Sequence, residues 1–326
     1  MKKMKAMAYA AYGAPEVLQP TETTIPTPKA NEVLIKVHAA AVTGSDLMMR
    51  QGKPRIGRLY LGMTKPKRTI LGYDFAGEVT ELGEGVTTFK VGDRVFGGTT
   101  TLGSYAEFVC VSVDDVIATM PENLIYEQAG PVCGSAVTVM NFLKGKAGLK
   151  PGQKVLINGA SGSLGTYAVQ IAKQMGAHVT GVSSTGNLAM VQALGADVVI
   201  DYTREDFTKN GVLYDVIFDT VGKRSFGDCK RALAPHGLYL SSVLSLPLLL
   251  SIIRTSIFGG KKARTSSTGM LPAKERLNYL LEVKEMMKAG KLTTVVDKNY
   301  PLSQLAEAHT YVELGHKKGN VVVTVC

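Results

Sequence analysis

The chain has 326 residues, 45% of them hydrophobic and 20% charged, which is ordinary for a globular protein with a sizeable core and makes two domains the natural expectation. Lys and Arg number 37 against 27 Asp and Glu, and the net charge of +10 suits nucleic acid, an anionic membrane or a phosphorylated ligand as well as it suits a plain solvated basic surface. Four scattered cysteines, Cys110, Cys133, Cys229 and Cys326, form no CxxC pair, which argues against disulfides and a structural zinc cluster and for a reducing cytoplasm.

The N-terminal MKKMKAMAYAAYG is basic but has no apolar run long enough for a signal peptide. NEVLIKVHAAAV (31–42), FAGEVTELGEG (75–85), KVGDRVFGG (90–98) and GSYAEFVCV (103–111) read as strands broken by glycine turns, a mostly β region. From about residue 128 the rhythm changes. VLIN (155–158), HVTGV (178–182), DVVID (197–201), YDVIFD (214–219) and GLYLSS (237–242) are short apolar runs about twenty residues apart. Helical patterns lie between them: Leu164, Ala168, Ile171, Ala172 and Met175 with Gly176 as the cap, then 187–195 and 225–237. Strands alternating with helices predict a parallel sheet covered on both faces. The apolar stretch 238–260 is interrupted by Pro247 and Arg254 and is not read as a membrane span. RLNYLLEVKEMMKAG (276–290) predicts a further helix, and VVVTV (321–325) a last strand that could return to the first domain.

Within this pattern, LINGASGSLGTYAVQ (156–170) is a strand, a turn of small residues and a helix start. Ala160-Ser161-Gly162-Ser163-Leu164-Gly165 fits the dinucleotide fingerprint with Ala in place of its first Gly. Gly162 lets the backbone approach a pyrophosphate, Gly165 lets the helix pack close to the sheet, and the amides at the helix start face the anion. The other reading is a tight turn with no ligand. The next strand is followed by Ser183-Ser184-Thr185-Gly186-Asn187, with no carboxylate for a ribose 2′-hydroxyl and no Arg or Lys. Hydroxyls and amides there can donate to a 2′-phosphate, which favours NADP(H) over NAD.

These residues bring out a resemblance that runs nearly end to end. AMAYAAYGAPEVLQ, PKANEVLIKVHAAAV, LGYDFAGEVTELGEGVTTFKVGDRVFG, GSYAEF, LKPGQKVLINGASGSLGTYAVQIAKQMGAHV, LGADVVIDY, YDVIFDTVG and GHKKGNVVV resemble landmarks of the medium-chain dehydrogenase/reductase superfamily, in its zinc-independent quinone oxidoreductase branch. The resemblance implies an α/β fold: a GroES-like β-barrel domain (1–127, completed by 294–326) and a Rossmann domain with a doubly wound parallel sheet (128–293). It also implies a cofactor in the cleft between them, and dimers or tetramers, with a homodimer expected here. Where zinc-dependent relatives carry a Cys and a Gly-His-Glu triplet, this chain has Thr43, in Val42-Thr43-Gly44-Ser45-Asp46, and Tyr73, in Gly72-Tyr73-Asp74. Neither is a normal zinc ligand, and Cys133 alone cannot hold a metal, so no zinc is expected. Asp46 is expected to cap the short helix DLMMRQG.

The resemblance implies that Tyr73 and Thr43 point toward the reacting centre, where their hydroxyls can bind a carbonyl oxygen and Tyr73 can relay a proton. Without a Lewis acid, alcohol oxidation is hard, whereas a quinone or an α,β-unsaturated carbonyl can accept hydride from NADPH. For the cofactor, Ser161, Gly162, Ser163, Leu164 and Gly165 are expected at the pyrophosphate, Ser183, Ser184 and Asn187 at the 2′-phosphate, and Tyr202 near the adenosine phosphate. By resemblance, Thr138, Val221, Gly222, Ser242 and Asn320 fall at the nicotinamide half. Two apolar and basic stretches, 52–68 and 243–264, read as local packing at a dimer interface, as a lid over a greasy substrate, or as a peripheral contact with an anionic membrane. The expected function is a zinc-independent, NADPH-dependent reduction of a small-molecule quinone or enone in the cytoplasm, with no nucleic acid partner. The alternatives are an alcohol dehydrogenase of the same superfamily and a dinucleotide-binding protein that acts by binding RNA or a membrane.

Overall fold

The computed structural model describes residues 2–258 and 260–326; Met1, and Gly259 within the stretch 243–264, lie outside the described residues. The chain opens with an antiparallel pair, β1 (Lys3–Ala8) and β2 (Gln19–Thr24), followed by β3 (Glu32–Val42), α1 (Gly44–Gln51) and the short α2 (Arg58–Leu61). Then come β4 (Asp74–Leu82), β5 (Arg94–Gly98), β6 (Phe108–Ser112) and β7 (Val116–Thr119). Helices α3 (Tyr126–Ala129) and α4 (Val132–Met140), the latter extended by a π-helical turn over Asn141–Lys146, lead into the alternating region. That region holds β8 (Lys154–Asn158), α5 (Ser163–Gln174), β9 (His178–Ser183), α6 (Leu188–Ala193), β10 (Val198–Asp201) and β11 (Tyr214–Asp219). It continues through α7 (Phe226–Cys229), β12 (Leu233–Ser241), α8 (Leu246–Ile257) and β13 (Lys262–Arg264). The chain closes with α9 (Ala273–Lys288), β14 (Val296–Pro301), α10 (Leu305–Glu313) and β15 (Asn320–Thr324).

The chain divides into two compact units. One holds the residues up to Gly134 with Pro272–Lys288 and Thr294–Cys326, and the other holds Ser135–Leu271 with Ala289–Thr293. The division at 293/294 coincides with the sequence boundary, the first division falls at 134/135 and not at 127/128, and Pro272–Lys288, which holds α9, goes with the first unit. That unit is the mostly β one. Its larger sheet runs β14-β15-β3-β4-β5-β7, with β6 also on β3. One edge of β3 is shared between two partners: Glu32 to Lys36 pair with β6, and Ala39 to Val42 pair with the returning strand β15. Val33, Ile35 and Val37 alternate along β3 and bury one face against Phe75, Val79 and Val95. A second cluster joins Met7, Leu71 and Tyr105 to Leu305 and Ala308 of α10. Beside it the fully buried Arg50 of α1 pairs with Glu313 of α10 and donates to the Gly13 carbonyl at 3.0 Å.

The second unit is a parallel six-stranded sheet in the order β10-β9-β8-β11-β12-β13. From β8 the chain steps outward to β10, then crosses back to β11 on the other side, which is the doubly wound order. Val155, Leu156, Ile157, Ile217 and Phe218 have no exposed surface, as strands covered on both faces require. The helix expected over 225–237 is cut short. After α7 a 3-10 turn (Lys230–Ala232) leads directly into β12, whose Leu233 pairs with Tyr214. Pro235 explains this, since the residue before a proline is driven out of the helical region. Helix α8 packs Leu248 and Thr255 inward and leaves Leu246, Leu250, Ile253 and Ile257 at least 60% exposed. Among the described residues, no helix is long and apolar enough to cross a membrane.

Candidate active site

In the parallel unit, the turn after β8 lies at the point where the strand order reverses, the place where doubly wound sheets bind ligands. Gly165 is dictated by space: a Cβ there would lie 2.1 Å from the Gly159 carbonyl oxygen, so only glycine lets α5 approach the turn this closely. Gly162 stands at the N-cap of α5, where no side chain caps the first turn, and its own side is open to 3.5 Å. Ser163 and Leu164 form that first turn, whose amides carry the positive end of the helix dipole.

The structure joins the residues expected at a 2′-phosphate to this turn. Ser183, at the end of β9, donates to Ser161 Oγ at 2.8 Å. Asn187 Nδ2 lies 3.3 Å from Ser161 Oγ and 3.2 Å from Ser184 Oγ. Among the described residues the buried Asn187 Oδ1 acceptor has no partner, and a ligand hydroxyl or amine would satisfy it. Tyr202 follows β10, is 57% exposed, and donates its backbone N–H to the Ser183 carbonyl at 3.1 Å.

On the other side of the switch point, Asp219 at the end of β11 organises the loop that carries Val221 and Gly222. Both of their amides donate to Asp219 Oδ1, at 3.0 and 3.1 Å, and so does Asn158 Nδ2 at 2.9 Å. Tyr239 Oη donates to Asp219 Oδ2 at 3.0 Å, and Ser242 N to the Asp219 carbonyl at 3.1 Å. Sequence reasoning passed over Asp219, although an acid closing an apolar strand is a visible signal. Thr138 lies on α4. Asn320 begins β15 in the other unit, and its amide donates to the Val295 carbonyl at 3.1 Å.

In the first unit, Tyr73 precedes β4 and its ring lies against Gly98 of β5, where a Cβ would come within 2.2 Å of it. Its phenol oxygen accepts a 2.8 Å hydrogen bond from Arg276 Nη1 of α9 and lies 3.9 Å from Cys133 Sγ. Burial, then the neighbouring Cys133 and Asp74, push the phenol above its ordinary value, and Arg276 opposes them. The Cys133 thiol is likewise pushed well up, by burial first. Asp74 Oδ1 accepts from Gly134 N at 2.6 Å while Oδ2 has no partner, and burial with the Asp46 charge raises this carboxyl well above the usual range.

Thr43 is placed differently from the expected donor role. It is the N-cap of α1, with Asp46 as the third helical residue in a reciprocal capping box, so Asp46 is the partner of the cap and not the cap itself. The Thr43 hydroxyl donates to Asp46 Oδ2 at 2.5 Å, so its hydrogen is already engaged.

Arg276 was missed at the level of sequence. Its signal was present, since Arg276, Tyr279, Leu280, Val283 and Met287 share the buried face of α9, and a charged residue on an apolar stripe needs a reason. Among the described residues, no group of three or more His, Cys, Asp or Glu could hold a metal.

A family model described as an alcohol dehydrogenase GroES-like domain matches residues 29–122, and one described as a zinc-binding dehydrogenase matches 194–323. The chain is 32% identical over 337 residues to a 2-methylene-furan-3-one reductase of Solanum lycopersicum, covering 98% of this chain and 79% of that protein. The solved quinone oxidoreductase from Coxiella burnetii is similar at 32% identity with a TM-score of 0.86 and full coverage of both chains. The Escherichia coli quinone oxidoreductase solved with NADPH is similar at 26% identity and a TM-score of 0.84, covering 98% of this chain and 100% of that one. With its GroES-like first unit, its doubly wound second unit and relatives of this identity along its whole length, the chain belongs to the medium-chain dehydrogenase/reductase superfamily of NAD(P)-dependent oxidoreductases, in the quinone oxidoreductase-like branch.

Proposed function

We propose that the chain is an NADPH-dependent reductase of quinones or α,β-unsaturated carbonyls that works without zinc. The observation that carries this reading is the cluster of Ser161, Ser183, Ser184 and Asn187 against the uncapped first turn of α5. It offers hydroxyl and amide groups and no carboxylate where a 2′-phosphate belongs, and it leaves the buried Asn187 Oδ1 in need of a donor. Asp201, the nearest acid along β10, has its oxygens engaged by Thr185 and Thr203. Similar proteins bear names that fit: one structure was solved with NADPH, and one relative is named a 2-methylene-furan-3-one reductase.

Zinc takes thiolate, imidazole or carboxylate ligands. Thr43, Tyr73 and the single thiol of Cys133 do not make such a set, and the guanidinium on the Tyr73 oxygen would repel a divalent cation. The residues therefore fit a hydrogen-bonding centre and not a metal.

The nicotinamide, when bound, supplies the hydride. The chain's own residues bind and orient. Ser161 to Gly165 hold the pyrophosphate at α5, and Asp219 fixes the Val221–Gly222 loop for the nicotinamide half. Tyr73, kept protonated by burial, donates its O–H to the acceptor's carbonyl oxygen. Thr43 holds the start of α1 through Asp46. The test is a titration of NADPH and NADH by nicotinamide fluorescence, which the absence of Trp leaves unobscured, followed by turnover with quinones and 2-alkenals. Tighter NADPH binding with turnover of either class supports the reading. Equal or tighter NADH binding contradicts the assignment of the serine cluster.

A further inference from the structure

Arg50 and Arg276 are both buried, and the fold treats them differently. Arg50 is paired with Glu313. Arg276 is 4% exposed, and among the described residues no carboxylate is paired with it. Its Nη1 donates to the Tyr73 oxygen at 2.8 Å, and its Nε is enclosed without a partner. A guanidinium is charged at every working pH, and taking one out of water without a counter-charge is costly. Among the described residues no ion pair joins it to Asp74, whose carboxyl burial and the Asp46 charge push well above the usual range. Among the described residues, the Tyr73 hydrogen meanwhile has only the Cys133 sulfur at 3.9 Å, a weak acceptor. A cation without an anion and a phenol without an acceptor thus share one oxygen.

We infer that Tyr73 and Arg276 form an oxyanion-binding pair, in which the Tyr73 O–H donates to the acceptor's carbonyl oxygen and Arg276, through the Tyr73 oxygen, holds the negative charge that arrives there. This rests on the reductase reading above. A bound reduced nicotinamide would supply the hydride, its own C–H bond breaking to leave the oxidised ring; the enone's β-carbon would gain that hydrogen, the C=C pair would shift, and the C=O pair would move onto oxygen as an enolate. The Tyr73 O–H bond breaks as its proton passes to that oxygen, giving the enol and a phenolate held by Arg276. A solvent proton restores the phenol, and the enol tautomerises to the saturated ketone. Arg276 is a positioning residue. It keeps the Tyr73 oxygen in place and favours its anionic form against the burial that opposes it.

The test uses 4-nitrophenol, whose phenolate is coloured, on cofactor-free protein. Wild type is expected to bind it as phenolate, with colour appearing below the pH at which the free phenol ionises. Arg276→Met is expected to weaken phenolate binding about tenfold or more, with NADPH affinity unchanged and the thermal midpoint not lowered, and Arg276→Lys to recover part of the loss. With an enone, Arg276→Met should lower kcat about a hundredfold and leave KM nearly unchanged. Tyr73→Phe, which keeps the ring packing, should also lose phenolate binding. Equal phenolate binding in wild type and Arg276→Met overturns the inference, and so does phenolate binding retained in Tyr73→Phe. Phenolate binding that depends on Arg276, in a protein that reduces no enone or quinone, contradicts the reductase reading alone and leaves the anion site standing.

Discussion

Asp46 is fully buried, and burial raises its carboxyl to about 6 despite the hydrogen bonds from the Thr43 amide and hydroxyl. The unfolded chain gives up this proton near the ordinary 3.8, so the folded state binds it more tightly between the two values. Stability from this residue is therefore present at low pH, falls as pH rises from about 4 to about 6, and stays reduced above that. Asp46→Asn keeps an acceptor for the cap and removes the ionisation. Unfolding free energies of wild type and variant from urea denaturation should differ little near pH 4 and separate in the variant's favour by up to about 3 kcal/mol above pH 6. A constant difference across that window would mean that Asp46 is not ionising in the fold. His309 works in the opposite direction, since burial and Arg50 lower it to about 3 and it loses stability as pH falls below its ordinary 6.5, so each residue has to be read against its own variant. Such shifts were not legible in the sequence. Asp46 was read as a helix cap, and nothing in DLMMRQG announces that its carboxyl lies under Tyr105 and near Asp74.

At the scale of elements, the β8-turn-α5 unit is the part that the sequence described best. LINGASGSLG carries both the close packing and the open N-cap, and each glycine has a spatial reason that spacing alone implied. Gly165→Ala sets a Cβ 2.1 Å from the Gly159 oxygen, so the turn or the helix must move. The expected outcome is a loss of about 1–3 kcal/mol in stability and at least about tenfold weaker NADPH binding, read by denaturation and by nicotinamide fluorescence. Unchanged affinity would show that the turn does not hold the pyrophosphate. The segment 225–237 marks the limit of the same method. Its helical pattern was real over Phe226–Cys229, but Leu233 pairs with β11, and a tertiary ladder overrode local propensity beside Pro235. Arg276 shows another limit. RLNYLLEVKEMM reads as an amphipathic helix from its apolar residues, and only the packed structure shows that Arg276 lies on the buried face with the Tyr73 oxygen against it.

At the scale of the whole chain, the alternation of strands and helices after residue 128 gave the fold class, because buried parallel strands must be short apolar runs. The apolar and basic stretch 243–264 was ambiguous for a physical reason, since α8 is apolar on both faces and only its Leu248 side is covered by its own sheet. We propose that the exposed stripe of Leu246, Leu250, Ile253 and Ile257 is covered by a second copy of the chain in the homodimer that the family resemblance implies. Ile253→Glu is then expected to shift sedimentation toward a single chain without unfolding it. An unchanged mass in the variant, or co-sedimentation of wild type with anionic vesicles, would assign the stripe elsewhere.

The most direct measurement follows NADPH absorbance while purified, chelator-treated protein meets benzoquinones, 2-alkenals and cyclic enones, with NADH in parallel and saturated alcohols plus NADP⁺ as the reverse reaction. The expected result is turnover of an unsaturated acceptor, preference for NADPH, and no change on chelation or on adding zinc. Activity with alcohols alone, or activity that disappears on chelation and returns with zinc, would contradict the metal-free centre built on Tyr73.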